Sequence, residues 1–241
     1  PYDPTPQFAS AFEPKDMPEP ISDTEENTHL LTAWRRQQGF KPWYAFRNDG
    51  KPTRAHYLLQ RAYYAALIKQ IDYEIGAIVD ALRENGMLDQ TVIILASDHG
   101  DYLGDHDLQG KASFFEAATK IPLIVRLPGA VAPARSQDLV SLTDVTATIL
   151  SVAGCPIPHH MDCVPLPGLG LRCDNPRDRI VGSLRNGWML RRDDWKLTKY
   201  DVGGSLLFNL HDDPLEQHNL AREGRCADVF HRLDSELVTA I

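Results

Sequence analysis

The strongest constraint on the fold is an apolar, largely β-branched run that ends in a polar cluster. The run covers residues 91–96, and the cluster reads Ser-Asp-His-Gly at 97–100. Such a run predicts a strand buried on both faces within a parallel sheet. Open α/β sheets place their chemistry just beyond the carboxyl ends of these strands, so Asp98 and His99 are candidate metal ligands. Lys111, twelve positions past His99, could bring a cation back to the same crevice.

The polar cluster also has a purely structural interpretation. An Asp-His-Gly at a strand end can form only a turn, in which Asp98 caps the next helix and Gly100 takes a positive φ. The local pattern leaves the turn and the metal site open as alternatives. If the site is a metal site, adjacent oxygen and nitrogen ligands suit a hard or borderline divalent ion.

A longer stretch resembles a known family. Residues 91–129 read TVIILASDHGDYLGDHDLQGKASFFEAATKIPLIVRLPG, which is similar to the sulfatase family of the alkaline-phosphatase superfamily. There a strand ends in Ser-Asp-His/Asn-Gly, followed by Gly-Asp/Glu-His, Lys, an aromatic pair with Glu, and an Ile/Val-Pro-Leu strand. Residues 61–88 resemble the family's long helix, residues 139–162 a later segment, and residues 213–220 its closing Asp-Pro-x-Glu-x-x-Asn-Leu. The resemblance covers most of the chain from about Arg54 onward.

The resemblance implies an α/β fold. It corresponds to part of an alkaline-phosphatase-like sandwich, with a mixed, mostly parallel sheet flanked by helices, plus a small C-terminal antiparallel sheet with a terminal helix. The C-terminal part of the catalytic domain is then expected at residues 1–175, and a small α+β subdomain at 176–241. Residues 1–53, which are rich in proline, are expected to form an irregular connection within the first part.

The function implied by the resemblance is metal-dependent hydrolysis of sulfate esters, as in arylsulfatases. Two alternatives remain: a phosphonate monoester or phosphodiester hydrolase on the same fold, and a non-catalytic sulfatase-like structural or binding subunit. The implied cofactors are one divalent metal ion, Ca²⁺ with Mn²⁺ as the alternative, and a formylglycine nucleophile made from Cys or Ser. The substrate would be a small anionic ester, whose developing charge a metal ion and a lysine can stabilise.

The family motif assigns roles to four residues of this chain. Asp98 and His99 would hold the metal, and Lys111 would be the catalytic cation. His106 matches a family histidine close to the site, and we expect it to orient the loop that carries Lys111. Many sulfatases have Asn where this chain has His99, and an imidazole there favours a softer metal without excluding calcium.

The family's nucleophile motif, Cys/Ser-x-Pro-x-Arg, does not occur in this sequence. Cys155 precedes a proline but lacks the spacing and the Arg, so we interpret it as part of a turn. Residues 1–4 resemble the tail of the family's Pro-His-x-Pro-Phe/Tyr segment. We therefore expect a missing N-terminal half of the same polypeptide to supply the nucleophile, and this chain alone to be inactive.

Composition excludes several other classes of protein. The net charge is −8 and no basic stripe is present, which argues against a nucleic-acid partner. No apolar run approaches the roughly 20 residues that span a membrane. Four cysteines without a Cys-x-x-Cys argue against structural zinc and fit a reducing compartment better, which favours the cytoplasm over the periplasm or secretion. Localisation and oligomeric state otherwise stay open.

Periodicity and turn residues predict the remaining elements. A helix over 54–85 is expected to begin after Thr53, end at Gly86 and bury one apolar face. The side chains at helical spacing on that face are Tyr64, Ile68, Ile71, Ile75, Ile78 and Leu82. Residues 121–127 predict the next strand, and Asp144 is expected to cap a helix over 145–153. Strands at 180–183, 188–191, 195–200 and 206–210, then a helix at 227–240, predict a covered antiparallel meander.

Overall fold

The computed structural model describes residues 2–22, 24, 27, 31, 52–129, 133–173, 177–202 and 204–241. In chain order its helices and strands are α1 (Pro6–Ala9), α2 (Arg54–Glu84), β1 (Ile93–Ala96), α3 (Glu116–Thr119), β2 (Leu123–Arg126), α4 (Leu142–Val152), β3 (Arg179–Leu184), β4 (Gly187–Arg192), β5 (Trp195–Tyr200), β6 (Gly204–Asn209) and α5 (Ala227–Ala240). The mixed α/β character and the C-terminal antiparallel sheet with its helix confirm the predicted fold class. No helix in the described ranges has the length and apolar character needed to cross a membrane.

The predicted irregular connection is partly outside the described residues. Its described part, residues 2–22, contains α1 and a 3₁₀ turn at Pro14–Asp16. Most of residues 23–51, including nearly all of the acidic stretch at 23–26, lie outside the described residues.

The long helix α2 has the predicted ends. The hydroxyl of Thr53 accepts the amide of His56 at 3.4 Å, and the His56 Nδ1 accepts the amide of Thr53 at 3.0 Å, which forms a reciprocal cap. Gly86 follows the helix in a left-handed conformation, with φ of +66°. The buried side chains of this helix come from its N-terminal half and are Tyr57, Leu58, Ala62 and Ala66.

The prediction of a buried apolar face along the whole of α2 is wrong. Ile68, Ile71 and Ile78 are 54, 57 and 62% exposed. Helical periodicity shows that one side of a helix is apolar, but it does not show what lies against that side. In the described part of the chain no element covers these three side chains.

The strand before the polar cluster is half-buried and antiparallel, so the expectation of a fully buried parallel strand is wrong for this pair. β1 pairs with β2 from Ile93 opposite Arg126 to Ala96 opposite Leu123. A parallel pair requires a crossover that returns the chain to the start of the first strand. Here the chain leaves at Ala96 and returns beside it at Leu123, so the whole connection stays at one end of the pair.

The helix α4 begins at Leu142, three residues earlier than the predicted start at residue 145. Its N-cap is Ser141, whose amide donates to Asp144 Oδ2 at 2.8 Å, so Asp144 is the N3 residue of a capping box and not the cap. The predicted structural role of Asp144 is nevertheless correct. Its buried carboxylate also accepts the guanidinium of Arg177 at 2.6 and 2.9 Å and the amide of Val164 at 3.0 Å. Cys155 lies in the turn after this helix, as predicted.

The C-terminal sheet confirms the predicted meander. Strands β3, β4, β5 and β6 pair in sequence order, each antiparallel to the next. Gly203, which precedes β6, is outside the described residues. Helix α5 has the predicted bounds, and it covers one face of the sheet through a buried leucine cluster. The leucines of this cluster are Leu190, Leu197, Leu207, Leu233 and Leu237.

The other face of the C-terminal sheet packs against the chain that follows β1. Phe114 and Phe115 lie among Met189, Tyr200 and Phe208 in one buried cluster. The hydrophobic core therefore continues without a break from the connection after β1 into the C-terminal sheet.

Candidate active site

The Ser-Asp-His-Gly turn at the end of β1 is fixed by its own hydrogen bonds. The Ser97 hydroxyl donates to the His99 carbonyl at 2.9 Å, and the His99 amide donates to Asp98 Oδ1 at 2.9 Å. The Gly100 amide donates to the carbonyl of Ala118, in α3, at 2.9 Å. These bonds set the directions of the Asp98 and His99 side chains.

Gly100 is required by the close approach of α3. A Cβ at this position would lie 2.0 Å from the carbonyl oxygen of Ala117 and 3.0 Å from its carbonyl carbon. Backbone atoms cannot yield as a flexible side chain can, so only glycine fits against this helix.

The hydrogen bonds of His99 define its tautomer. Its Nδ1 lies 2.8 Å from the carbonyl oxygen of Gly100, which can only accept, so Nδ1 carries the proton. The lone pair is then on Nε2, the ring atom that is available to a cation. Asp98 Oδ2 lies 3.1 Å from Nε2, and the ammonium of Lys111 donates to the same atom. The structure thus brings Asp98, His99 and Lys111 together.

This cluster is open to solvent. The side chains of Asp98 and His99 are 77 and 34% exposed, and Lys111 is exposed. Desolvation by the surrounding residues raises the pKa of the Asp98 carboxyl, but the hydrogen bond from the His99 amide and the positive charge of Lys111 act in the opposite direction and outweigh it. The pKa of Asp98 is therefore below its ordinary value, and the carboxylate is ionised at neutral pH.

The donor set fits part of a metal site. Donors that share one ion at about 2.0–2.6 Å lie roughly 3 Å apart at adjacent positions, as Oδ2 of Asp98 and Nε2 of His99 do. Among the described residues no group of three His, Cys, Asp or Glu side chains could hold a metal ion. Asp98 and His99 alone therefore offer two donors, and a metal site here would need further donors from other residues. The Nε2 lone pair serves either a metal or Lys111, because it can bind only one of them at a time.

Lys111 is carried by residues 101–115, which we call the lysine loop. Its backbone closes on itself: the Tyr102 amide donates to Gly110 at 2.9 Å, and the Gly104 amide donates to Leu108 at 3.0 Å. The buried hydroxyl of Tyr102 lies 2.6 Å from that of Ser113. These contacts hold the loop in one conformation.

Helix α2 braces one side of the lysine loop. Arg61 forms an ion pair with Asp105, and its Nε donates to the carbonyl of Leu103 at 3.1 Å. Tyr57 packs directly under Gly104, where a Cβ would lie 2.6 Å from the ring. Three non-glycine residues of the loop, Leu103, His106 and Asp107, have φ of about +50°. This left-handed conformation persists only where packing enforces it.

His106 lies inside the lysine loop. Its ring is buried and stacks on Phe115, with centroids 3.9 Å apart and planes 3° from parallel. Its amide donates to the carbonyl of Ile21 at 2.8 Å. This placement suits the predicted role of orienting the loop, which stays a prediction.

Sequence reasoning missed the position of Tyr2. Its hydroxyl donates to Asp101 Oδ2 at 2.5 Å, and Asp101 Oδ1 accepts the amide of Leu103 at 3.0 Å. Burial and the hydrogen bond to Asp101 raise the pKa of the Tyr2 phenol, so it remains a proton donor. The sequence indicated only that residues 1–4 resemble a segment of the family. It did not indicate that this segment lies beside Asp101.

Comparison with known proteins gives the family. The family model described as Sulfatase matches residues 6–155, which is more than half of the chain. The chain belongs to the sulfatase family. The chain is 32% identical to arylsulfatase K of Bos taurus over 211 residues, which cover 80% of this chain and 38% of that protein. It is 34% identical to choline-sulfatase of Rhizobium meliloti over 175 residues, which cover 69% of this chain and 34% of that one. The chain thus spans less than two fifths of these relatives.

Solved structures support the fold of the chain. The phosphonate monoester hydrolase SpPMH from Silicibacter pomeroyi matches with a TM-score of 0.83 and 23% identity, over 98% of this chain and 52% of that one. The structure of BT1596, a 2-O GAG sulfatase, matches with a TM-score of 0.78 and 19% identity, over 98% and 57%. At these identities the matches show the shared alkaline-phosphatase-like fold.

Proposed function

We propose that this chain contributes two metal ligands and a catalytic lysine to a hydrolase of sulfate esters. The observation that carries the proposal is the meeting of an ionised carboxylate, an imidazole lone pair and an ammonium group at one exposed strand end. Membership of the sulfatase family supports sulfate esters as the substrate class. The relatives' names, arylsulfatase K and choline-sulfatase, agree with that class.

The chemistry of Lys111 follows from the charge of the substrate. In hydrolysis of a sulfate ester, negative charge builds on the ester oxygens as the bond to the leaving group breaks. An ammonium held next to these oxygens stabilises that charge in the transition state more than in the ground state. The rigid lysine loop holds Lys111 in place for this interaction, whether it contacts a non-bridging oxygen or the oxygen of the leaving group.

Asp98 Oδ2 and His99 Nε2 would hold the divalent ion that we propose, Ca²⁺ or, as the alternative, Mn²⁺. When bound, such an ion supplies Lewis-acid stabilisation of the ester oxygens. Because Nε2 can bind only one partner, Lys111 would not be bonded to it in a metal-loaded site and would face the substrate instead. The Nδ1 bond to the Gly100 carbonyl holds the ring in the required tautomer throughout.

A further part of the polypeptide would complete the site. We propose that an N-terminal portion supplies the formylglycine nucleophile and the remaining metal ligands, and that this chain is inactive without it. The chain spans 38% of arylsulfatase K and 52% of the phosphonate monoester hydrolase it matches. The exposed isoleucines on α2, and Ile124 on β2 with 60% exposure, are apolar surfaces that such a portion would cover.

The test of this function is Lys111→Ala in the longer protein that contains the complete sulfatase domain. We expect kcat/KM for an aryl sulfate to fall at least about 10²-fold, or roughly 2.7 kcal/mol of transition-state stabilisation. The fold should be retained, because the lysine is exposed. Lys69→Ala, which removes an exposed lysine of α2, is the matched control and should leave the rate unchanged.

Phosphonate monoester and phosphodiester substrates belong in the same assay. Faster turnover of either of these than of the sulfate ester would replace the proposed substrate class with the phosphonate alternative. No turnover of any ester by the wild-type protein would favour a non-catalytic subunit. Equal rates for Lys111→Ala and wild type would remove Lys111 from the mechanism.

Metal binding tests Asp98 and His99 separately from activity. In the longer protein, we expect Asp98→Asn and His99→Ala each to weaken Ca²⁺ or Mn²⁺ binding at least about tenfold, or 1.4 kcal/mol, in calorimetric titrations. Asp138→Asn, which changes an exposed carboxylate elsewhere, is the control. Unchanged affinity in both site variants would contradict the ligand assignment.

A further inference from the structure

A buried charge cluster lies behind the candidate site, where α3 meets the C-terminal sheet. The ammonium of Lys196, on β5, is 1% exposed and lies 2.6 Å from Glu216 Oε1 and 2.9 Å from Glu116 Oε1. Arg191, on β4, donates to Glu116 Oε2 at 3.0 Å. The amide of Glu116 donates to Glu216 Oε2 at 2.5 Å. We call these four residues the Lys196 cluster.

Stability alone does not account for the Lys196 cluster. Taking charges out of water costs free energy, and apolar residues of similar volume often replace a buried ion pair without loss. Glu216 also adopts a left-handed backbone, with φ of +56°, which is strained for a residue with a side chain. A costly set of charges together with a strained backbone indicates that the geometry of the contact matters.

The cluster reaches the candidate site through α3. Glu116 is the first residue of α3, and the next residue, Ala117, presents its carbonyl oxygen to Gly100 at a distance that admits only glycine. The carbonyl of Ala118 accepts the Gly100 amide at 2.9 Å. The Gly100 carbonyl in turn accepts Nδ1 of His99 at 2.8 Å. Glu116 is thus connected to the His99 ring through one helical turn and one glycine.

We propose that the Lys196 cluster is a positioning unit that fixes α3 against Gly100 and thereby sets the orientation of the His99 ring. The C-terminal sheet then contributes to the site through Lys196 and Arg191, although neither touches the substrate. The consequence for the reaction rate rests on the proposed function. The consequence for Gly100 does not, because it concerns a hydrogen bond within this chain.

The predicted effect of the Lys196 cluster on Gly100 can be tested by measuring hydrogen exchange of the Gly100 amide in the full chain. Lys196→Met and Glu116→Ala should each lower the protection of this amide at least about tenfold relative to the amides of β5. Glu116→Ala is the gentler variant, because Lys196 keeps Glu216 as its partner and the chain should fold. The matched control is Lys199→Met, which lies on the same strand and removes an ion pair to Asp234 on α5. That variant should leave Gly100 unchanged.

The predicted effect of the Lys196 cluster on the reaction rate can be tested by measuring turnover in the longer protein. Glu116→Ala should lower kcat for a sulfate ester about tenfold with KM within about twofold, whereas Lys199→Met should lower neither. A role limited to stability predicts normal kcat for every folded Glu116→Ala molecule. Unchanged Gly100 protection in Glu116→Ala, or unchanged kcat in an active enzyme, would overturn the proposal. If the wild type turns over no ester while Gly100 responds as expected, the proposed function fails and the positioning contact stands.

Discussion

The C-terminal sheet and the β1–β2 pair differ in how completely they are covered. The four-stranded sheet has α5 on one face and the aromatic cluster around Phe114 and Phe115 on the other. Within the described ranges the β1–β2 sheet has two strands, neither contains a fully buried residue, and Ile124 on β2 is exposed. A two-stranded pair is marginal by itself in water. The strand that leads into the candidate site is therefore supported by elements other than its own sheet.

This contrast shows where the rigidity of the site originates. Arg61 on α2 holds the lysine loop from one side through Asp105. The C-terminal sheet holds α3 from the other side through the Lys196 cluster. The site residues are thus held by the buried N-terminal half of α2 and by the C-terminal sheet, and the weakly covered pair β1–β2 connects them.

The most direct test of this difference is a pair of substitutions to alanine, one in the C-terminal sheet and one in the β1–β2 pair. Leu207→Ala, at a fully buried position of the C-terminal sheet, should lower the free energy of unfolding of the chain by about 2–5 kcal/mol. Ile124→Ala, at an exposed position of β2, should change it by less than about 0.5 kcal/mol. Urea unfolding of both variants, followed by circular dichroism, gives the comparison.

Ile124→Ala also tests the proposal that an N-terminal portion covers β2. In the longer protein Ile124→Ala should cost more than about 1 kcal/mol, because the side chain would be buried there. An equally small effect in both contexts would show that nothing covers β2. A large effect in the chain alone would show that the β1–β2 pair already supports itself, and the contrast between the regions would fail.

A smaller effect on the free energy of unfolding is expected from the pH dependence of the Lys196 cluster. Burial raises the pKa of Glu116, but the charges of Lys196 and Arg191 outweigh burial and hold this pKa below its ordinary value of 4.5. The stabilisation by Glu116 is therefore present above about pH 4.5 and is lost as the pH falls through the folded-state pKa. Glu116→Gln should cost about 1.5 kcal/mol at pH 7, and its difference from wild type should shrink below pH 4.5.

This prediction is checked by measuring the free energy of unfolding of the wild type and of Glu116→Gln from pH 7 to pH 3. Glu216 contributes with the opposite sign, because burial raises its pKa. Its contribution is present in both proteins, so the difference between them reports mainly on Glu116. A difference that stays constant or widens toward low pH would contradict the assignment of Glu116 as the ionised partner of Lys196.

Elements with strong local signals were predictable from the sequence. The C-terminal strands and α5 have short alternating patterns, turn residues and a helical period that do not depend on distant chain. The capped start of α2 at Thr53 is equally local. The approach of Lys111 to His99 was expected from its spacing and from the family resemblance, and the structure shows the two in contact.

Contacts between distant parts of the chain were not predictable. The Lys196 cluster joins residues that are 80 and 20 positions apart, and Tyr2 meets Asp101 across 99 positions. No local pattern indicates such pairs. The direction of β1–β2 pairing and the exposure of Ile71 likewise depend on where other elements lie, which hydrophobic patterning does not report.

The rigid lysine loop has a thermodynamic consequence for binding. Ordering a flexible residue costs about 1–2 kcal/mol, so a loop of this length that became ordered only with its ligand would forfeit on the order of 10 kcal/mol of affinity. Here the bonds that close the loop at Gly110 and Leu108, and the burial of His106, have removed that entropy during folding. An incoming ester would meet a loop backbone that already holds Lys111 beside the site, and its interaction energy would remain available for lowering the barrier.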